Sequence, residues 1–421
     1  MASLPPSYYS ATANPAPVRP ALADDAEVDA CVIGGGYTGL SAALHLAERG
    51  YKTLLLESHR IGWGASGRNG GQLNTGLRKG PGELVAMFGR DDARQLFDLA
   101  EEAKATVRER VRRHAIACDL TSGSLYVAYK RGDPEWMARE VEVQREVFGY
   151  GNSQFLSKAE LEARLGSQRY YGAIADTGGG HLHPLNYALG LAAAAEAAGA
   201  RLCEESAALS LAPGEVRTSA GRVKARYILL GCNAYLGGLE PRIAGMIMPI
   251  SNYIVATEPL GEAGARALIR DDAAVCDTKF VVDYFRLSAD KRLLFGGGES
   301  YSRRPPRDIA GFVRPHMLKV FPQLAGASID HAWGGQLAIT MNRLPHLGRL
   351  PGDMYFAQGY SGQGVALSSL AGKLMAEAIA GTAERFDMFA RIPHRGFPGG
   401  TLLRHPALVL GMLWYALRDR L

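Results

Sequence analysis

The first clear apolar run of the chain, Ala30 to Ile33, stops at Gly34, as a short buried strand bounded by a turn would. The whole stretch Asp29 to Glu57, DACVIGGGYTGLSAALHLAERGYKTLLLE, then reads as glycine turn, helix, second strand and terminal acid. That order specifies a site for an ADP moiety. Gly34 makes the tight turn, Gly36 lets bare backbone meet a pyrophosphate at a helix N-terminus, and Gly39 lets helix and strand pack closely. Glu57 follows about 20 residues on, where a carboxylate can take both ribose hydroxyls.

Farther along, Ala93, Leu96, Phe97, Ala100, Ala103, Val107 and Val111 recur at the spacing of one helix face, predicting a helix over Asp91 to Arg113. Gly123 to Tyr129 reads as a strand, and Ser157 with Glu160 forms a capping box. Gly178 to Gly180 lead to Pro184, the start of an alanine-rich helix that stops at Gly199. Ala200 to Leu211, Val216 to Val223 and Arg226 to Leu230 read as strands. Residues 241 to 335 are strand-rich, most clearly at Tyr253 to Thr257, Phe280 to Leu287 and Arg292 to Phe295. Met354 to Ala357 then feeds a second glycine turn, Gly359 to Gly364 (GYSGQG), and a helix from Val365 to Ala380.

Composition narrows the setting. The chain has 421 residues, 47% hydrophobic and 21% charged, enough for two domains with separate cores. A net charge of +5 from 47 basic and 42 acidic residues marks no nucleic-acid partner. The basic runs Arg108 to His114 and Arg303, Arg304 and Arg307 read as solvated faces. Five scattered cysteines without a CxxC pair indicate neither a disulfide framework nor a metal site, and fit a reducing cytoplasm. Residues 1 to 27 lack a basic and then apolar leader, so a cytoplasmic location is expected. The apolar run Pro406 to Leu417 is too short for an integral membrane segment and is expected to be a packed helix.

Two strand, glycine turn, helix units can serve one extended cofactor, the first holding phosphates and the second meeting the reactive ring. A flavin suits that division. Backbone N–H groups at the start of the Val365 helix, at its positive dipole end, would stabilise negative charge at N1 and the C2 carbonyl of a reduced isoalloxazine. The expected fold is therefore an α/β FAD-binding domain, Rossmann-like in the manner of glutathione reductase. A second, α+β substrate domain is expected on a large, mostly antiparallel sheet. The FAD-binding domain takes residues 28–80, 171–240 and 336–390, and the substrate domain 81–170 and 241–335. Residues 1–27 form an N-terminal arm, and 391–421 a C-terminal tail or helix.

The segments SYYSATAN, CVIGGGYTGLSAALHLAE, RIGWGASGRNGGQL, GGHLHPLN, GCNAYLG, YFRLSADKRLLFGGG, YSGQGV, ERFDMFARIPH and FPGG run nearly the whole length. With them the chain resembles the FAD-dependent amine and amino-acid oxidoreductases of the D-amino-acid oxidase, glycine oxidase and sarcosine oxidase superfamily. The resemblance implies FAD contacts from Ala65, Ser66, Arg68, Asn69, Gly70, Gly71 and Gln72. It also implies contacts from Ala208, from the turn Gly231 to Asn233, and from Gly362, Gln363, Gly364 and Val365. FAD is expected to bind noncovalently, because no histidine lies within Gly62 to Gln72 and no cysteine near the last glycine turn.

Relatives that oxidise free amino acids carry G-x-R-P-x-T-x-D-x-x-P-x-x-G, whose arginine clamps the substrate carboxylate. Here Gly335 to Gly348 reads GQLAITMNRLPHLG, with Leu337 at the arginine and Asn342 at the acid. Leucine makes no charge-assisted pair. The expected substrate is therefore an amine without a carboxylate at the reacting carbon, such as gamma-glutamylputrescine or a related polyamine-derived amine, unless Arg286 or Arg343 supplies the clamp. The resemblance implies hydride transfer to flavin N5 and imine hydrolysis to aldehyde and ammonia. Tyr284, Trp333, Leu337, Tyr360 and Gln363 are the candidate pocket residues, and no side-chain base is nominated. His181 and His183 are expected to cap or pack. The electron acceptor is dioxygen or a respiratory or quinone acceptor. The alternatives are oxidation of a cyclic or secondary amino acid such as L-pipecolate, and a non-catalytic flavin-binding subunit or sensor.

Overall fold

The computed structural model describes residues 3–300, 305–401 and 404. The Ala30 run lies in strand Ala26–Ile33, at the middle of an eight-stranded sheet. Thr53–Leu56 and Arg222–Leu230 pair with it in parallel on either side. Arg201–Cys203 and Met354–Gln358 extend the parallel set outward, and His346–Leu350 closes one edge antiparallel. The run is apolar throughout because both of its faces are buried: Ala30 and Val32 pack under helices, while Cys31 and Ile33 pack with Leu54, Leu56 and Phe356 on the other side.

Open parallel sheets bind ligands beyond the carboxyl ends of their strands. Here Ile33 is in register with Leu56 and Leu230, and Leu230 with Phe356. Gly34, Glu57 and Gly231 therefore leave the sheet side by side. Helices Tyr37–Ala47 and Gly364–Ile379 both start at this edge and pack against each other, so closely that a Cβ on Gly372 would lie 2.3 Å from the Thr38 carbonyl oxygen.

The second sheet has nine strands. Its order is Ile329–Ile339, Met248–Thr257, Leu293–Ser300, Tyr284–Leu287, Ala274–Asp277, Thr121–Val127, Gly172–His181 and Gln72–Leu73, with Ser153–Ser157 also paired to Gly172–His181. All its pairings are antiparallel except that of Ala274–Asp277 with Thr121–Val127.

Strand pairing corrects several expectations. Gly172–His181 belongs to the second sheet, so the chain returns to the first at helix Pro184–Ala197 and not at 171. Gln72–Leu73, within 28–80, and the end of Ile329–Ile339, beyond 335, are likewise in the second sheet. Ala200 to Leu211 is two short strands, Arg201–Cys203 and Ser210–Ala212. Between them the Glu204 carboxylate turns inward to Arg60 at 2.7 Å and the Ile61 N–H at 2.8 Å, and Glu205 adopts a left-handed φ of 51°. Val216 to Val223 is a hairpin. Thr218 and Gly221 close its turn and fold Glu215–Arg217 back on the start of Arg222–Leu230. The strand expected from Phe280 begins only at Tyr284. The Ser157 capping box is present as expected.

The N-terminal arm fastens the two sheets together. Tyr8 donates its hydroxyl to Asp290 at 2.7 Å, Tyr9 is fully buried, and Arg19 pairs bidentately with Glu196. The helix expected over 406–417, like Arg303 and Arg304, lies outside the described residues. Among the described residues no helix is long and apolar enough to cross a membrane, and no group of side chains could hold a metal ion.

Candidate functional site

The two glycine turns open on a single cleft of about 390 Å³. Gly34 has a φ of +108°, and a Cβ there would sit 3.0 Å from the Gly231 carbonyl oxygen. A Cβ on Gly36 would meet Ser66 Oγ at 2.9 Å, and one on Gly39 would lie 1.9 Å from the Gly34 carbonyl oxygen. Gly34 and Gly36 line the cleft, whereas Gly39 serves only the strand-to-helix packing. The Tyr37 N–H is donated to Ser66 Oγ at 3.0 Å. Neither helix that starts at the cleft has an acidic residue in its first turn, and neither has a side-chain cap. Thr38 Oγ1 and the Tyr360 hydroxyl, 2.7 Å apart, tie the two starts together. Two positive helix ends thus converge on one cleft with no acid in either first turn, the environment a phosphate and an electron-accepting ring require.

Glu57 is buried at the cleft wall. Its Oε2 accepts from the Gly35 N–H at 2.6 Å, and Oε1 from the His59 N–H at 2.9 Å and Ser58 Oγ at 3.2 Å. Burial raises its pKa, opposed by those donors. Ala65, Ser66, Asn69, Ala208, Gly231, Gly362, Gly364 and Val365 line the same cleft. These residues fit an FAD: a side chain at Gly34 or Gly36 would fill the cradle, and carboxylate and helix ends stand at the places an ADP moiety uses. Cys232 and Asn233 of the expected turn line it as well, and so do Trp63 and Tyr235, which were not singled out from the sequence.

A second cavity of about 200 Å³ adjoins the first. The two share Ala65, Asn69, Leu337, Ser361, Gly362 and Val365. Arg68, Gly70, Gln72, Tyr284 and Gln363 line only the second, which places part of the expected FAD loop against substrate space. The Tyr284 ring is let in by two glycines: a Cβ on Gly70 would approach it to 2.6 Å and one on Gly296 to 2.1 Å. Its hydroxyl donates to Asn252 Oδ1 at 2.5 Å. Gln363 Oε1 is buried in this cavity with no hydrogen-bond partner among the described residues. Asn252, Arg78 and Phe280 also line it. No motif marks these three, because the strand register and a loop bring them in.

The remaining candidates do not line the substrate cavity. Trp333 is buried behind the cofactor loop, where its indole donates to the Arg68 carbonyl at 3.0 Å and it packs on Tyr9. Tyr360 faces the cofactor cleft and not the substrate cavity. Gly71 lines neither cavity; its φ is +74° and a Cβ would sit 2.1 Å from the Leu182 carbonyl oxygen. Arg286 is not available as a clamp: buried, it donates to the carbonyls of Gly70 at 2.7 Å, Leu182 at 3.0 Å and Leu287 at 2.9 Å. His183 caps helix Pro184–Ala197 through the Asn186 N–H, and burial lowers its pKa to about 3. His181 packs against Arg286 and the Asp272 carbonyl.

A dinucleotide cleft on a parallel sheet, with a separate cavity at the end of its second glycine turn, defines a flavoprotein oxidoreductase. The chain belongs to the FAD dependent oxidoreductase family (DAO), matched over residues 29–378, and FAD is its cofactor. It is 44% identical to the gamma-glutamylputrescine oxidoreductase of Escherichia coli (strain K12), over 99% of this chain and 98% of that protein. It is 41% identical to the probable oxidoreductase OrdL of Rhizobium meliloti (strain 1021), over 98% and 97%. Its fold is similar to the crystal structure of glycine oxidase from Geobacillus kaustophilus, with a TM-score of 0.70 and 22% identity over 88% of this chain and 100% of that one.

Proposed function

We propose that the enzyme oxidises the C–N bond of a primary amine that carries no carboxylate on its reacting carbon, with gamma-glutamylputrescine or a related polyamine-derived amine as substrate. One observation carries this reading. The six residues common to both cavities, where the reacting carbon must lie, include no cation, and one of them is Leu337. An α-amino acid would leave its carboxylate unpaired there. The similarity to the E. coli enzyme supports the same class of substrate.

Bound FAD supplies the two-electron acceptor, at N5, for the hydride on the amine's α-carbon. The protein's part is placement. Ile250, Val282, Leu337 and Ile339 give the cavity apolar walls that favour the neutral amine over the ammonium ion. The orphaned Gln363 Oε1 accepts an N–H of that amine, and Tyr284, held by Asn252, fixes the opposite wall so that the C–H stays aligned. Loss of hydride and a proton turns R–CH2–NH2 into R–CH=NH, which water hydrolyses to aldehyde and ammonia.

The contacts expected of Gly34, Gly36, Glu57 and the Ala65 to Gln72 loop with FAD are part of this reading. So are noncovalent binding, with flavin released to the supernatant on acid precipitation, and a cytoplasmic setting suited to five free cysteines. Dioxygen or a quinone reoxidises the flavin, and parallel reoxidation rates with each would show which. Mixing the yellow protein anaerobically with candidate amines tests the whole proposal. Gamma-glutamylputrescine should bleach the flavin faster than L-pipecolate does. Faster bleaching by L-pipecolate would overturn the substrate, and bleaching by no amine would overturn the reaction. In Gln363→Ala the half-saturating amine concentration should rise about 5- to 30-fold, the weight of one hydrogen bond in a closed site.

A further inference from the structure

The substrate cavity has a marked charge imbalance. Among the described residues no aspartate or glutamate lines it, whereas Arg68, Arg78 and Arg343 all do. Two of these arginines are engaged. Arg68 lies 4.4 Å over the Trp63 ring and donates to the Gly334 carbonyl and the Tyr235 hydroxyl, each at 3.3 Å. Arg343 lies 4.4 Å over the Phe280 ring. Arg78 is half-buried and makes no hydrogen bond or ion pair with any other described residue.

Arg78 also occupies a distinct place. With Asn74 and Cys276 it belongs to the part of the cavity that the cofactor cleft does not share. Its charge acts on Cys276 and Tyr126, and Cys276 stands in register between Tyr126 and Tyr284. Arg78, Cys276 and Tyr284 line this cavity together, and none of the three belongs to the cofactor cleft. A half-buried cation that makes no ion pair among the described residues is costly unless a ligand brings an anion into contact with it.

We propose that Arg78 binds a carboxylate at the far end of the substrate. The amine oxidised is then one whose chain ends in a carboxylate, and not a free diamine or polyamine. A guanidinium fork takes a carboxylate through two parallel N–H bonds. The Asn74 amide, lining the same part of the cavity, offers another donor. A free diamine would bring a second positive charge, with no anion of its own, into a cavity lined by three arginines and no acid, whereas the ammonium of a gamma-glutamyl end comes with its own carboxylate. The proposal rests on the reading above that the amine end lies at Gln363, and it adds which end of the substrate lies at Arg78.

Three ligands separate the possibilities, read by perturbation of the FAD absorption spectrum in the holoenzyme. The glutaric monoamide of putrescine has the amine and the terminal carboxylate, N-(4-aminobutyl)pentanamide has the amine alone, and N-butylglutaramate has the carboxylate alone and cannot be oxidised. In the wild-type enzyme the carboxylate should tighten binding about 10- to 100-fold over the neutral amide. In Arg78→Gln that ratio should collapse towards one, and in Arg78→Lys, which keeps the charge and loses the fork, it should fall between. The affinity for N-butylglutaramate should drop with the same order of variants. A wild-type ratio near one, or N-butylglutaramate bound equally by wild type and both variants, overturns the Arg78 site. If no amine reduces the flavin but N-butylglutaramate binds through Arg78, the reaction falls and the carboxylate site stands.

Discussion

Gly36 and Gly39 lie one turn apart, and the two demand glycine for different reasons. The Cβ of an alanine at 39 would be forced within 1.9 Å of backbone, which no side-chain rotation relieves. Gly39→Ala should therefore cost roughly 1–3 kcal/mol or more of stability and give poorly folded, colourless protein in thermal melts. An alanine at 36 meets only Ser66 Oγ, which can turn away. Gly36→Ala should fold, with a melting temperature near wild type, yet hold FAD about 10-fold or more weakly by fluorescence titration, since a methyl would stand where the pyrophosphate approaches. Unchanged FAD affinity would remove the phosphate role from Gly36. Both glycines were legible because they stand at fixed spacing in one strand, turn and helix pattern, although only Gly39 is required by close backbone packing. Arg78 and Asn252 were not: an arginine or asparagine in a loop or strand looks the same whether it faces solvent or a cavity, and only the register of distant strands decides.

At the scale of elements, the turn Thr278 to Asp283 shows why a run of apolar residues misled. Phe280, Val281 and Val282 read as a strand, but Asp277 Oδ1 accepts the N–H groups of Lys279 at 3.2 Å and Asp283 at 3.1 Å and pulls the chain into a turn. That turn delivers Phe280 and Val282 to the substrate cavity. Lys279 bonds Asp283, lies 3.6 Å from Asp277, and His316 lies 3.6 Å from Asp283. Two carboxylates thus share one lysine, and burial, aided by the neighbouring Asp283 charge, raises the Asp277 pKa to about 7. Because the folded value lies above the unfolded one, the folded protein keeps this proton longer. Stability from it is full below about pH 4 and is lost as pH rises through about 7. Asp277→Asn retains the acceptor oxygen and removes the titration, so its melting temperature should exceed that of wild type at pH 8 and converge with it at pH 4. Parallel curves for the two proteins across that range would show that Asp277 stays ionised.

The whole molecule is held by contacts between segments far apart in sequence. Tyr9 is fully buried between Arg286, whose guanidinium reaches its hydroxyl at 3.2 Å, and the rings of His183 and Trp333. Tyr9→Ala should cost about 3–5 kcal/mol and lower the melting temperature. It should also weaken FAD retention, because Arg286 holds the Gly70 carbonyl of the cofactor loop. Nothing in the proline-rich composition of residues 1 to 27 signals this clamp, whereas both crossover units and the large second sheet could be read from local pattern. The cofactor cleft draws one wall from Gly34 and Gly36 and the other from Gly362 and Gly364, and the order of synthesis separates them. At about 5–20 residues per second, a ribosome that has made the first wall needs roughly 15–65 s to make the second. Every copy of this enzyme therefore passes through an interval in which the Gly34 turn exists and the Gly362 turn that faces it does not, so the cleft is complete only once the last parallel strand and its helix are in place.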